Sequence, residues 1–191
     1  DKDPERLMEV IESVRRSDAV LWAFPLYFLL VCSQYKRFIE LVRERGVEDA
    51  FAGRYAATLS TSINFYDTTA HAWMRGVCED LGMPFVGFYS AHTHDLTKAV
   101  ERQRLERFAA DFLEVVRSRA AIPRAYAPVA STDRPLDLQP PAARVRTEGR
   151  RIVVVTDARP EHGRLRALVD RFVAAFDGPV EVVNLHDVDI R

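Results

Sequence analysis

Only two cysteines, Cys32 and Cys78, occur in 191 residues, far apart and outside any Cys-x-x-Cys pair. That excludes a disulfide scaffold and suits two reduced, packed thiols in a cytoplasmic protein. Charge of one sign is also missing: 27 basic and 28 acidic residues leave a net charge of −1. Without a basic stripe or an acidic tail, the charges read as solvated helix faces, and nucleic acid is not an expected partner. Apolar runs are strand-sized and the amino terminus is charged, so neither a membrane span nor a secretory signal is expected. No Ser, His and Asp set stands in a nucleophile-elbow context, and Cys78 falls in mid-helix, which argues against hydrolytic and thiol catalysis. His71, His92 and His94 with Asp95 lack a fixed third ligand, so no metal site is assigned.

What is present is a chain 48% hydrophobic and 29% charged, enough for one good core or for parts of two. Apolar periodicity predicts helices over 4–16, 31–45, 68–81 and 96–119 and strands over 18–24, 55–60 and 85–90. This αβαβαβα alternation argues for a doubly wound α/β domain, a parallel sheet with helices on both faces. From 120 to 150, Pro123, Pro128, Pro135, Pro140 and Pro141 and the lack of an apolar period predict an exposed linker without regular structure. Beyond it lie a strand at 151–156 (RIVVVT), an amphipathic helix at 163–176 and a strand at 180–185 (VEVVNL). The unbroken run Ile152, Val153, Val154, Val155 predicts a central strand buried on both faces and paired in parallel with 18–24.

Two loops stand out. The apolar run 18–24 stops at Pro25 and leads into Leu26, Tyr27 and Phe28, and the carboxyl end of a buried parallel strand is where open α/β sheets bind ligands. The second loop, Ser60, Thr61, Ser62, Ile63 and Asn64, gathers hydroxyls and an amide at the next strand end. Competing structural readings exist for both: core aromatics in the first, a capping turn before Thr68 in the second.

Three patterns together resemble the flavodoxin-like, NAD(P)H-dependent FMN reductase family. Pro25 and Tyr27, followed by Ser33, Lys36 and Phe38 on a helix, fit its strand-end Pro-x-Tyr motif. Residues 53–67 (GRYAATLSTSINFYD) resemble its next strand and second flavin loop, with Gly82 and Met83 before the following strand. Residues 151–187 resemble its opening strand, phosphate loop, first helix and second strand. The resemblance implies a flavodoxin-like sheet with its elements in permuted order. Residues 1–119 then form the third to fifth strands, 120–150 a linker, and 151–191 the first two strands, which either complete the same sheet or start a second domain. It also implies FMN as cofactor and NAD(P)H as donor, with electrons passed to a quinone, a flavin or a similar small acceptor; a homo-oligomer is compatible with it. Pro25, Leu26, Tyr27 and Phe28 would flank the ring, and Ser60, Thr61, Ser62, Ile63 and Asn64 its pyrimidine edge. Arg159, His162, Gly163 and Arg164 would hold the phosphate at a helix start. That loop departs from the family in Asp157, Arg164 and Leu165, which leaves open an alternative: a non-enzymatic flavodoxin-like electron-transfer or interaction module.

Overall fold

A computed structural model describes residues 4–63, 66–128, 139, 141, 143–159 and 163–188, and the chain divides into two compact units, 1–130 and 131–191. The first contains α1 (Pro4–Arg15), β1 (Ala19–Pro25), α2 (Ser33–Glu44), β2 (Tyr55–Ser62), α3 (Thr68–Asp80), β3 (Phe85–His92) and α4 (Ala99–Ser118). Its strands form one parallel sheet in the order β1-β2-β3. The register puts Trp22 beside Thr58 and Thr58 beside Phe88. Side chains alternate across a strand, so Tyr89 faces away from this row. Trp22 packs on Tyr35 and Phe38 of α2 and stacks on Phe51, while Phe88 stacks on His71 of α3. Tyr89, on the other face, meets Phe108 of α4. Helices therefore cover both faces, as the alternation predicts. α3 ends at Gly82, whose φ of 75° is the left-handed value a helix stop favours in glycine, and the Gly82 carbonyl accepts from the Gly53 amide at 2.9 Å. No described helix is long and apolar enough to cross a membrane.

The layer between β2, β3 and α3 is polar. Thr58, Ser60, Asp67 and His71 are all buried, so each must find a partner or cost free energy. Thr58 Oγ1 lies 2.7 Å from His71 Nδ1, and Ser60 Oγ lies 2.9 Å from both His71 Nε2 and Asp67 Oδ2. Ser90 also donates to Asp67. A neutral imidazole protonated on Nε2 satisfies every donor: Thr58 donates to Nδ1, Nε2–H donates to Ser60, and Ser60 and Ser90 donate to the carboxylate. Burial pushes the His71 pKa down, against the opposing pull of Asp67. For Asp67, burial acts upward, but the hydroxyls of Ser90 and Ser60 and the adjacent His71 imidazole outweigh it, and its pKa falls below the usual value.

A second buried carboxylate corrects the linker reading. Glu79 on α3 accepts the main-chain amides of Ala125 and Tyr126, both at 2.9 Å, and Arg75 Nε at 2.8 Å. Arg124 donates to the Glu79 carbonyl and pairs with Asp80 at 3.0 Å. Residues 120–128 thus have no helix or strand, as predicted, yet they are fastened to α3. Residues 129–138, 140 and 142 of the expected linker lie outside the described residues.

In the second unit, β4 (Ile152–Thr156) and β5 (Val180–Asn184) pair in parallel around α5 (Gly163–Ala174). β4 is hydrogen-bonded to β5 in a sheet of its own, so the expected pairing of 151–156 with 18–24 is corrected. Burial on both faces is corrected as well: Val153 and Val155 are 54% and 60% exposed, while Ile152 and Val154 are half-buried. Among the described residues of this unit, α5 is the one α-helix that can cover the sheet. The end of the expected linker also belongs here, since Val145 bridges to Phe176 and the Thr147 amide donates to Asp177 at 2.8 Å.

Two predictions follow from the buried carboxylates and the imidazole. Glu79→Gln leaves a main-chain amide facing an NH2 group and removes the carboxylate charge that pairs with Arg75; it should lower stability by roughly 2–3 kcal/mol in denaturant unfolding. The second concerns pH. Because His71 is harder to protonate folded than unfolded, the unfolded chain binds the extra proton below its ordinary pKa of 6.5, so this part of the stability is present above 6.5 and lost on acidification. The melting temperature should fall from pH 7 to pH 5, and His71→Gln, less stable at pH 7, should show a flatter profile. Equal slopes in both proteins would contradict the assignment.

Candidate functional site

β1 and β2 deliver their carboxyl ends side by side. The Leu26 amide donates to the Thr61 carbonyl at 3.0 Å, and the Thr93 amide to the Ser62 carbonyl at 2.9 Å, so three strand-end loops are tied together. Next to them is a cavity of about 360 Å³ whose lining includes Pro25, Ser60, Thr61, Tyr89, His92 and Leu96. Tyr89, His92 and Leu96 were not among the expected site residues. In the sequence this strand end is marked by the His92 and His94 spacing, which by itself suggests only a metal motif. Asp95 secures this corner by accepting the His92 amide at 2.8 Å and pairing with Lys98 at 3.0 Å.

The Pro25 loop makes a tight reverse turn. Tyr27 and Leu30 exchange both main-chain hydrogen bonds, at 2.8 and 2.9 Å, and the two residues between them, Phe28 and Leu29, have φ of 42° and 69°. Such a turn normally recruits Asn and Gly, and each side chain with a Cβ costs roughly 1–2 kcal/mol there. The tip is also turned outward: Tyr27 is 59% exposed and Phe28 fully exposed. The core-aromatic reading of these two therefore fails; Leu26 alone of the loop's front packs on the core.

Residues of the second loop divide. The Ser60 hydroxyl is spent on Asp67 and His71 inside the protein, leaving its side chain unable to face a ligand. Ser62 is buried, whereas Thr61 and Ile63 are exposed. Asn64 lies outside the described residues.

The phosphate-loop candidates sit in the second unit. After β4, the buried Ala158 donates its amide to Thr156 Oγ1 at 3.1 Å, and its carbonyl accepts from Asn184 Nδ2 at 2.8 Å. Asp157 and Arg159 are exposed, and Gly163 and Arg164 form the exposed start of α5, the helix end whose dipole favours an anion. His162 lies outside the described residues.

No curated protein matches the sequence. Among solved structures, an NADH:FMN oxidoreductase (EMOB) in its apo form aligns at 18% identity and a TM-score of 0.50, covering 60% of this chain and 62% of that one. The NAD(P)H:(acceptor) oxidoreductase FerB from Paracoccus denitrificans aligns at 21% identity and a TM-score of 0.53, covering 60% and 69%. The chain thus spans less than two thirds of the first of these proteins, and the likeness is one of fold. A family model described as flavodoxin-like fold matches residues 1–116, well over half of the sequence, and the chain belongs to that Flavodoxin_2 family.

Proposed function

We propose that this protein binds FMN at the carboxyl ends of β1 and β2 and passes hydride or electrons from NAD(P)H to a quinone, a flavin or a similar small acceptor. The observation that carries this reading is the outward-facing Tyr27 and Phe28, held on a turn that opposes its own backbone preference. Strain and exposed aromatic surface together are characteristic of ligand sites rather than of packing. The two similar structures named above are of an NADH:FMN oxidoreductase and of a flavoenzyme that is an NAD(P)H:(acceptor) oxidoreductase, which supports the same reading. FMN, when bound, would supply the two-electron chemistry. The chain's own part is to wall the ring with Tyr27 or Phe28 and to offer Pro25, Thr61 and Ile63 beside it. The Asp67 network beneath ties β2 and β3 to the start of α3. Within the second unit, the start of α5 at Gly163 and Arg164 suits an anion by itself.

The exposed Asp157 favours a second reading, a flavodoxin-like module without the cofactor, since a carboxylate at a phosphate loop repels the ligand. Equilibrium dialysis at micromolar FMN separates the two, because only the first retains the flavin.

Two substitutions test the tip. Phe28→Ala removes a ring that buries nothing in the first unit, so the melting temperature should not change. FMN affinity should drop by about 0.5–1.5 kcal/mol, roughly 2- to 12-fold in Kd. An unchanged Kd would remove Phe28 from the site. Leu29→Gly should raise stability by about 1 kcal/mol because glycine accepts the positive φ; a fall in melting temperature would show that the turn is not strained.

A further inference from the structure

Four arginines from three chain segments gather at the amino ends of the strands, away from the Pro25 loop. Arg15 and Arg16 end α1, Arg54 precedes β2, and Arg119 closes α4 with φ of 51°. They line a cleft of about 480 Å³ together with Asp18 and Tyr55, a volume within the range of small-molecule sites.

Helix ends account for part of this cluster. Cations stabilise helix carboxyl ends, and Arg54 does so directly: Nη2 donates to the Arg15 carbonyl at 2.6 Å and Nη1 to the Ala52 carbonyl at 2.7 Å. Arg15 is neutralised by Asp49 at 2.5 Å and Glu12 at 3.3 Å. The remainder is unexplained by capping. The side chains of Arg16 and Arg119 make no hydrogen bond or ion pair among the described residues, and Arg54 Nε is buried without a partner there. Three guanidinium groups thus face one carboxylate, Asp18, and two helix ends worth about half a negative charge each. Charge is close to balanced once Glu12 and Asp49 are counted, and what remains in the concave site is unspent guanidinium donors.

We infer that this cleft binds a phosphorylated small molecule through a diphosphate group, gripped by Arg16 and Arg119 above Arg54. Guanidinium forks match phosphate oxygens two at a time. Asp18 and the helix ends blunt the field for a singly charged anion, so two linked phosphates are the group that gains most. The cleft lies at the opposite strand ends from the proposed flavin loops, so it is independent of that function.

Pyrophosphate and orthophosphate, titrated calorimetrically into the intact chain, supply the test. Pyrophosphate should bind one to one, at least tenfold tighter than orthophosphate, and weaken several-fold between 50 and 200 mM NaCl. Arg16→Gln/Arg119→Gln should reduce pyrophosphate affinity at least tenfold while FMN retention stays unchanged; Arg16→Gln alone serves if the double variant melts early. The site is overturned if pyrophosphate does not bind, if the variants bind it equally well, or if FMN displaces it, which would place it at the flavin phosphate loop. Equal affinity for the two anions would overturn the diphosphate assignment.

Discussion

Asp67 is the charge around which the first unit's functional end is arranged. It is buried, ionised and answered by hydroxyls from two different strands and an imidazole from the helix that follows it. Because a buried carboxylate missing a donor costs several kcal/mol, Ser60 on β2, Ser90 on β3 and His71 on α3 cannot drift independently. Their convergence sets the distance between strand ends and helix start. The loops that leave those strand ends inherit their positions from it, and the tip after β1 is anchored to the same frame through Leu26 and Thr61. The apolar half of the core, Trp22, Phe38, Phe51 and their neighbours, supplies stability in bulk but does not select one arrangement of the polar end.

Sequence reasoning reached as far as local periodicity reaches. Runs such as 18–24 and 85–90 gave strand positions to within one or two residues, and their alternation with helices gave the parallel order. Three features were hidden because their parts lie on separate segments: the Asp67 network, the Glu79 clamp and the arginine cleft. A hint of the first was available, since Thr58, Ser60 and Ser62 alternate on one face of a strand flanked by helical patterns, and a polar stripe there needs buried partners. The apolar run in β4 misled because residue type alone does not say how many helices cover a strand. The turn at Tyr27 was unreadable for the opposite reason: it contains neither glycine nor asparagine, and its conformation defies its residues.

The two ends of the first sheet are chemically unlike. At the carboxyl ends, hydroxyls and carboxylates are turned inward and aromatic surface is turned outward; at the amino ends, guanidinium groups crowd the stops of two helices. A planar, partly apolar ligand and a highly charged one would each find its complement at only one end, and the apolar cluster around Trp22 and Phe51 carries no charged side chain.

Glu79 bears on how the chain can be taken apart. Composition places the boundary of the first unit at the end of α4, and a fragment ending at Arg119 retains each of that unit's strands and helices. It also discards Ala125 and Tyr126, the two amides that answer a carboxylate only 2% exposed on its side chain. Such a fragment would keep Arg75 as the partner of that carboxylate but leave two of its three donors unreplaced, and would open there to admit water. The smallest piece that carries its own electrostatic closure ends after Tyr126, seven residues into what the prolines advertise as spacer.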